Sequence, residues 1–236
     1  MASIWVFVEE ENGAPSNLAL ELLTKARDLG DVTAIYLGTG GDDAFAKLGE
    51  YGASKVLHAD AGSYLPSGPV ARALAEKSGE AAPDLFLFGQ AYTDRDVAGR
   101  LAARLGATVL SNASDVRMTD DGVETEHEIF GGTQIAVAQA SGMPAIVLIR
   151  PKSNPAEPSG GAAPEVSTLD LPDVGSSTAT ITEVHEEERE GPQLGDAAVV
   201  VSGGRGLGSA EACDLVERLG KQLKAATGAT RAIVDA

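Results

Sequence analysis

The sequence predicts an α/β protein. Its N-terminal part is expected to be a Rossmann-like, mostly parallel sheet with helices on both faces and an antiparallel excursion, followed by the start of a second α/β domain. Short apolar runs alternate with amphipathic segments up to Leu105, which favours right-handed crossovers in a parallel sheet. The chain is 43% hydrophobic but only 4% aromatic, so its core is mainly Ala, Val, Leu and Ile, as suits a buried parallel sheet. A further apolar run near the C-terminus leads into a glycine cluster.

Hydrophobic periodicity predicts the elements of the N-terminal part in order. Short apolar runs predict buried strands over residues 4–8, 32–37, 55–58 and 84–88. Helical spacing of apolar residues predicts helices over 15–30, 42–51, 69–77 and 93–105, and glycines end the first two of them.

The pattern changes after Gly106. Segments 108–117, 123–130 and 133–140 follow one another as strands without helices between them, and turn residues at 120–122 and 131–132 join them. We therefore expect an antiparallel excursion, after which residues 145–149 return to a buried strand with Pro144 at its start.

Composition divides the chain into an N-terminal α/β domain over 1–150, a connector with a short strand over 151–195, and an incomplete second domain over 196–236. Prolines and glycines mark residues 151–176 as connector, and 177–183 could form the short strand. The second domain is predicted to contain a strand at 197–202, a helix at 208–226 and a strand at 230–234.

The charge balance limits the possible partners. Eighteen basic residues against 35 acidic ones give a net charge of −17, which argues against nucleic acid and anionic membranes as partners. No apolar run approaches the roughly 18 residues that a membrane-spanning helix needs, and the N-terminus is expected to be a strand and not a signal peptide. The single cysteine, Cys213, excludes an internal disulfide and gives no sign of an oxidising compartment, so a cytoplasmic location is the default. Its thiol is expected to be packed in the core.

The glycine cluster at 203–208 is the first candidate site. A strand that turns through glycines towards a helix can hold a phosphate, because the backbone approaches the ligand closely and exposed N–H groups favour an anion. Arg205 adds a fixed positive charge between Gly204 and Gly206. The spacing is not that of a dinucleotide fingerprint, and Asp235, after the next predicted strand, is the nearest equivalent of the acid that binds ribose. Phosphate contact and a bare tight turn both remain open.

A second candidate follows the strand at 84–88. Gly89 and Gln90 lie at the carboxyl end of this strand, where open α/β sheets bind ligands. The alternative is a capping box in which Thr93 caps the helix and Asp96 reaches back to it. His58, His127 and His185 have no metal-ligand spacing, and no nucleophile elbow or Walker motif is present, so no catalytic residue is assigned.

The order of segments resembles the alpha subunit of electron transfer flavoprotein. The resemblance covers the whole chain, and its most specific part is the glycine cluster with the segment at 228–236. The segments that carry it are 6–13, 94–104, 130–132, 148–151, 200–211 and 228–236.

This resemblance implies an electron carrier that works as a heterodimer with a beta subunit and has no substrate of its own. The N-terminal domain would hold no nucleotide, the second domain would bind FAD, and AMP would be bound only by the partner beta subunit. Electrons would pass from acyl-CoA and other dehydrogenases, as in fatty acid β-oxidation, to a membrane quinone reductase. Gly204, Arg205 and Gly206 would contact the FAD phosphates, and Thr230 and Arg231 would lie near the flavin. A guanidinium there favours the reduced, anionic ring.

The family continues beyond the residue that matches Ala236 with segments that bind most of the FAD, so this sequence resembles a C-terminally truncated member. We therefore expect the chain alone to bind FAD weakly or not at all. An NAD(P)-binding oxidoreductase fragment and a non-catalytic scaffold for the beta subunit are the alternatives.

Overall fold

A computed structural model describes residues 1–140, 142–172, 179–183, 185, 191–192, 194–195, 197–209 and 211–235. The chain divides into two compact units, Met1–Thr182 and Glu183–Ala236. The strands described in the first unit are β1 (Ala2–Glu11), β2 (Ala14–Pro15), β3 (Gly30–Leu37), β4 (Lys55–Ala59), β5 (Leu85–Phe88), β6 (Val109–Ala113), β7 (Asp115–Thr119), β8 (Gly122–Ile129), β9 (Gln134–Ala140), β10 (Ala145–Ile149) and β11 (Glu165–Thr168). Its helices are α1 (Asn17–Arg27), α2 (Asp42–Glu50), α3 (Ser67–Ala81) and α4 (Tyr92–Leu105).

The main sheet of the first unit has eight strands in the order β11-β4-β3-β1-β5-β10-β6, with β2 pairing antiparallel to β1 at the side. All neighbours along this order run parallel. The chain moves from β1 outward through β3 to β4 and then returns to β5 on the other side of β1. The strand order therefore reverses between β1 and β5, and such a switch point is where open α/β sheets form a crevice.

Two apolar cores cover the two faces of this sheet, as the predicted α/β class requires. Alternate residues of β1 point to opposite faces, so Ile4, Val6 and Val8 join one core while Trp5 and Phe7 join the other. Helices α1 and α2 contribute to the first core, and α3 and α4 contribute to the second. The predicted mostly parallel sheet with helices on both faces is confirmed.

The antiparallel excursion is also confirmed, with one difference at its start. Strands β7, β8 and β9 form a separate antiparallel sheet. The single strand predicted over 108–117 is instead two strands, because β6 pairs with β10 in the main sheet and only β7 belongs to the antiparallel one. Asn112 has a left-handed φ of 63° and the Ser114 N–H donates to the Glu126 carbonyl (2.8 Å), so the chain changes sheets here.

The segment predicted as a connector contributes an edge strand. The Glu157 N–H donates to Thr24 Oγ1 (3.1 Å) and the Ser159 N–H to the Glu50 carbonyl (2.7 Å), which lays the chain along α1 and α2. Strand β11 then pairs with the open edge of β4. Of the strand predicted at 177–183, residues 177–178 lie outside the described part, and Thr180 forms an isolated bridge with Tyr64.

The second unit contains β12 (Val200–Gly203), a 3₁₀ turn (Arg205–Leu207), α5 (Cys213–Leu223), β13 (Ala226–Ala229) and α6 (Arg231–Val234). Strands β12 and β13 form a parallel pair with Gly203 opposite Ala229. Helix α5 approaches this pair closely at Gly220, where a Cβ atom would overlap the Thr227 side chain.

Three predictions for this unit were wrong. The helix predicted from residue 208 begins only at Cys213, because the 3₁₀ turn intervenes, and the Cys213 thiol is half-buried instead of packed in a core. The strand predicted at 230–234 is a helical turn, since the Ile233 N–H donates to the Thr230 carbonyl (2.8 Å) and the Asp235 N–H to the Arg231 carbonyl (2.9 Å). The strand lies earlier, in the small residues that complete the pairing with β12.

Candidate functional site

The carboxyl edge of the β12–β13 pair brings the two halves of the candidate site together. The Thr230 N–H donates to the Gly203 carbonyl (2.9 Å), which extends the pairing one residue past β13. A Cβ atom on Gly204 would lie 3.7 Å from both Oγ1 and Cγ2 of Thr230. Residues separated by more than twenty positions in sequence are therefore direct neighbours at this edge.

The 3₁₀ turn projects Arg205 and Gly206 from the same edge. The Leu207 N–H donates to the Gly204 carbonyl (2.9 Å) and the Gly208 N–H to the Arg205 carbonyl (3.2 Å). Gly208 ends the turn with a left-handed φ of 80°, which favours glycine. No heavy atom of the described residues lies within 4 Å of a Cβ placed on Gly206, so the backbone there is open to a ligand as far as the described residues go.

Gly203 has a packing role instead. A Cβ atom at this position would lie 2.6 Å from Leu207 Cδ1 and 3.3 Å from Val216 Cγ2. The missing side chain therefore lets the turn that contains Arg205 fold back over the end of β12.

Two arginines give the edge its charge, and their surroundings differ. Arg205 is exposed and has no ion pair within the part of the chain that the structure describes. The Arg231 side chain, 92% exposed, places Nε 2.8 Å from Asp235 Oδ2. Among the described residues, the Arg231 guanidinium is therefore paired with a carboxylate and the Arg205 guanidinium is not.

The five residues selected from the sequence, Gly204, Arg205, Gly206, Thr230 and Arg231, all lie along this edge. Asp235 was expected at the end of a strand, where a ribose-binding acid lies, and that placement was wrong, because β13 ends at Ala229 and a helical turn separates it from Asp235. Its i,i+4 spacing from Arg231 could have indicated the ion pair only if the turn had been predicted as helical.

The groups at this edge match the anionic part of a dinucleotide. The Arg205 guanidinium is a group that can donate to phosphate oxygens, Thr230 supplies a hydroxyl, and the turn at Gly206 is open to close approach. The residues present thus fit the phosphates of a cofactor such as FAD. The aromatic part of a flavin would need apolar walls in addition, and the glycines, arginines and threonine of this edge are not such walls.

The second sequence candidate, at the switch point of the first unit, is occupied by the chain's own carboxylate. The N–H groups of Gly89 and Ala91 donate to Asp94 Oδ1 and Oδ2, each at 3.0 Å. A carboxylate in the first turn of the helix therefore accepts from the backbone before the helix, as the capping interpretation predicted. The residue is different, however, since Asp94 and not Asp96 makes these contacts. Asp96 pairs with Arg100 at the surface.

Burial raises the pKa of the Asp94 carboxyl to about 7, and the nearby charge of Glu9 adds to the shift. Glu9, Glu11 and Asp94 line the same small crevice together with Phe7 and other residues. Negative charge in the crevice disfavours a phosphate, and the absence of a nucleotide from this unit stays a prediction.

Within the described residues, no group of three or more His, Cys, Asp or Glu side chains is arranged to hold a metal ion. No helix in the described part of the chain has both the length and the apolar character needed to cross a membrane.

Comparison with known proteins agrees with the two-unit structure. Residues 4–174 match the family model described as electron transfer flavoprotein domain, and residues 193–236 match the one described as electron transfer flavoprotein FAD-binding domain. The second match contains every residue of the edge described above.

Individual relatives give the same result. An electron transfer flavoprotein subunit alpha of Mycobacterium leprae is 38% identical over 241 residues, which cover 100% of this chain and 74% of the relative. The alpha subunit of Paracoccus denitrificans is 34% identical over 232 residues, covering 96% of this chain and 73% of the relative. That of Syntrophomonas wolfei is 29% identical over 238 residues, with 100% and 75% covered. From these matches and the α/β architecture, the chain belongs to the electron transfer flavoprotein alpha subunit family.

Proposed function

We propose that this chain functions as an electron transfer flavoprotein alpha subunit that holds FAD at the carboxyl edge of β12 and β13. The observation that carries the proposal is the coincidence of the FAD-binding family match, residues 193–236, with the edge where Arg205, Thr230 and Arg231 come together. In this role the flavin supplies the redox chemistry and the chain supplies binding and electrostatics.

Each residue of the edge has a distinct part in the proposal. Gly204 and Gly206 let the backbone approach the FAD phosphates, and Arg205 supplies the positive charge that attracts them. Arg231 and Thr230 lie close to the flavin, where a guanidinium stabilises the negative charge that reduction adds to the ring. No proton-transfer residue from the protein is needed.

The wider proposal concerns partners. The chain pairs with an electron transfer flavoprotein beta subunit, which holds AMP, and the complex carries electrons from acyl-CoA and other dehydrogenases of fatty acid β-oxidation to a membrane quinone reductase in the cytoplasmic compartment. The names of the relatives support an electron carrier over an enzyme with its own substrate.

A titration of FAD into the chain, with and without a beta subunit, tests the cofactor proposal. We expect weak or no binding by the chain alone and measurable binding by the complex. The substitution Arg205→Ala should weaken FAD binding by the complex about tenfold, since a charge-assisted hydrogen bond is lost.

The matched control is Arg218→Ala, which removes an exposed arginine from α5 of the same unit. Equal losses for both variants would show that only net charge matters and would remove Arg205 from the site. A complex that forms without any flavin would favour the scaffold alternative. Saturable NADH binding in place of FAD binding would favour the NAD(P) alternative.

A further inference from the structure

Asp235 is a charged residue beside the candidate site of the second unit, and the proposed function gives it no part. Its Oδ2 atom lies 2.8 Å from Arg231 Nε, and the spacing of four residues places both side chains on one face of the turn. The turn itself is closed by backbone hydrogen bonds, from Ile233 N–H to the Thr230 carbonyl (2.8 Å) and from Asp235 N–H to the Arg231 carbonyl (2.9 Å).

This turn is joined directly to the candidate site. Thr230 precedes α6 and donates its N–H to the Gly203 carbonyl at the end of β12 (2.9 Å), so the start of the turn is fixed to the strand that leads into Arg205. The direction of the Arg231 guanidinium therefore depends on contacts within the turn, and the contact that its side chain makes there is to Asp235.

The geometry of this contact leaves most of the guanidinium available. Asp235 accepts from Nε, whereas the Nη groups carry the other four of the five N–H donors of an arginine. A second acceptor could use the Nη side without displacing Asp235. The carboxylate also offsets the charge of Arg231, while Arg205 has no such partner within the described residues.

We propose that Asp235 is a positioning residue of this site: it holds Arg231 through Nε, leaves the Nη groups for an anionic ligand, and offsets one of the two guanidinium charges. Arg205 then supplies the uncompensated attraction and Arg231 supplies directed hydrogen bonds. The identity of the ligand as FAD rests on the proposed function, whereas the positioning of Arg231 does not.

The positioning is tested without cofactor by NMR of the Arg231 Nε–H group in the full chain. We expect Asp235→Ala to speed exchange of this proton with solvent by about twofold. The expected change is small because an exposed ion pair between residues one helical turn apart is weak. Asp214→Asn removes an exposed carboxylate from α5 and should leave the Arg231 signal unchanged. An Arg231 signal that is identical in wild type and Asp235→Ala would overturn the positioning role.

FAD binding by the complex with a beta subunit tests the charge offset. Asparagine keeps an acceptor for Nε but removes the charge, so Asp235→Asn should bind FAD about two- to fivefold more tightly than wild type at low salt. Asp235→Ala also loses the direction of Arg231 and should bind more weakly than Asp235→Asn.

Asp214→Asn changes the net charge by the same amount as Asp235→Asn. Comparing the two variants therefore separates the effect of the position of the carboxylate from the effect of net charge. Equal effects of Asp235→Asn and Asp214→Asn would contradict the offset, and loss of FAD binding in Asp235→Asn would show that Asp235 contacts the ligand itself. If the wild-type complex binds no FAD, the proposed function fails, while the exchange of the Arg231 proton still decides the positioning.

Discussion

At the scale of single residues, two carboxylates differ in the hydrogen-bond donors that they occupy. Asp94 takes two backbone N–H groups at the switch point of the first unit, so the position where α/β sheets often bind phosphate is filled by the chain itself. Asp235 takes only one donor of Arg231 and leaves the edge of the second unit open. This contrast is one reason for placing the proposed cofactor site in the second unit.

Stability should depend on pH through Asp94. Its pKa is raised to about 7 by burial, so the folded state holds this proton more tightly than the unfolded chain does. Asp94 therefore contributes stability that is fully present below about pH 4 and is lost as pH rises through about 7, at roughly 1.4 kcal/mol per pH unit. The variant Asp94→Asn should lose this component in urea unfolding measured between pH 5 and 7.

The control for this experiment is Asp31→Asn, an exposed position at the start of β3. Its free energy of unfolding should follow the wild-type pH dependence. Parallel curves for wild type and Asp94→Asn would contradict the raised pKa.

At the scale of elements, hydrophobic periodicity predicted the main sheet of the first unit well because its central strands are short apolar runs that are buried on both faces, as in Leu85–Phe88. It failed where pairing partners decide the outcome. Glu165–Thr168 becomes a strand only because the edge of β4 is open, and Ala226–Ala229 only because β12 lies beside it. The β-branched residues at 233–234 favoured a strand that the backbone hydrogen bonds of α6 exclude.

The residues of the candidate site could be selected from the sequence where they belong to a recognisable motif. All five selected residues lie on one edge, and the pairing of Gly203 with Ala229 is what joins their two segments. The ion pair of Asp235 could not be foreseen from a predicted strand. Residues four apart share a face of a strand but lie too far apart for an ion pair, whereas on a helix they are neighbours.

Glycine substitutions test how closely α5 packs on the strand pair. A Cβ on Gly220 would overlap Thr227, so Gly220→Ala should loosen α5 and destabilise the second unit by about 1–3 kcal/mol. Hydrogen exchange at the amides of β12 and β13 measures this local stability.

Gly99→Ala in α4 is the matched control, since no heavy atom lies within 4 Å of its Cβ position. This change should stabilise the first unit by up to about 1 kcal/mol, because alanine loses less backbone entropy in a helix. Unchanged exchange in Gly220→Ala would show that α5 does not pack as described.

At the scale of the whole molecule, the two units differ in how much core they contain. Both apolar cores that flank the main sheet belong to the first unit, almost entirely within residues 2–171. The second unit is described by one parallel strand pair with α5 and α6, and leucines of α5 such as Leu219 are about half exposed (51%).

A fragment of residues 1–182 should therefore fold on its own. We expect it to keep the far-UV circular dichroism of an α/β protein and a cooperative thermal transition close to the main transition of the full chain. A fragment that shows no cooperative transition would contradict the assignment of both cores to the first unit.

The most direct test of the central claim is a map of backbone amide shifts on adding FAD to the labelled chain in complex with a beta subunit. The account predicts that shifts concentrate at residues 203–206 and 230–231, along the carboxyl edge of β12 and β13. Shifts that concentrate instead at residues 9–11 and 89–94, around the switch point of the first unit, would contradict it.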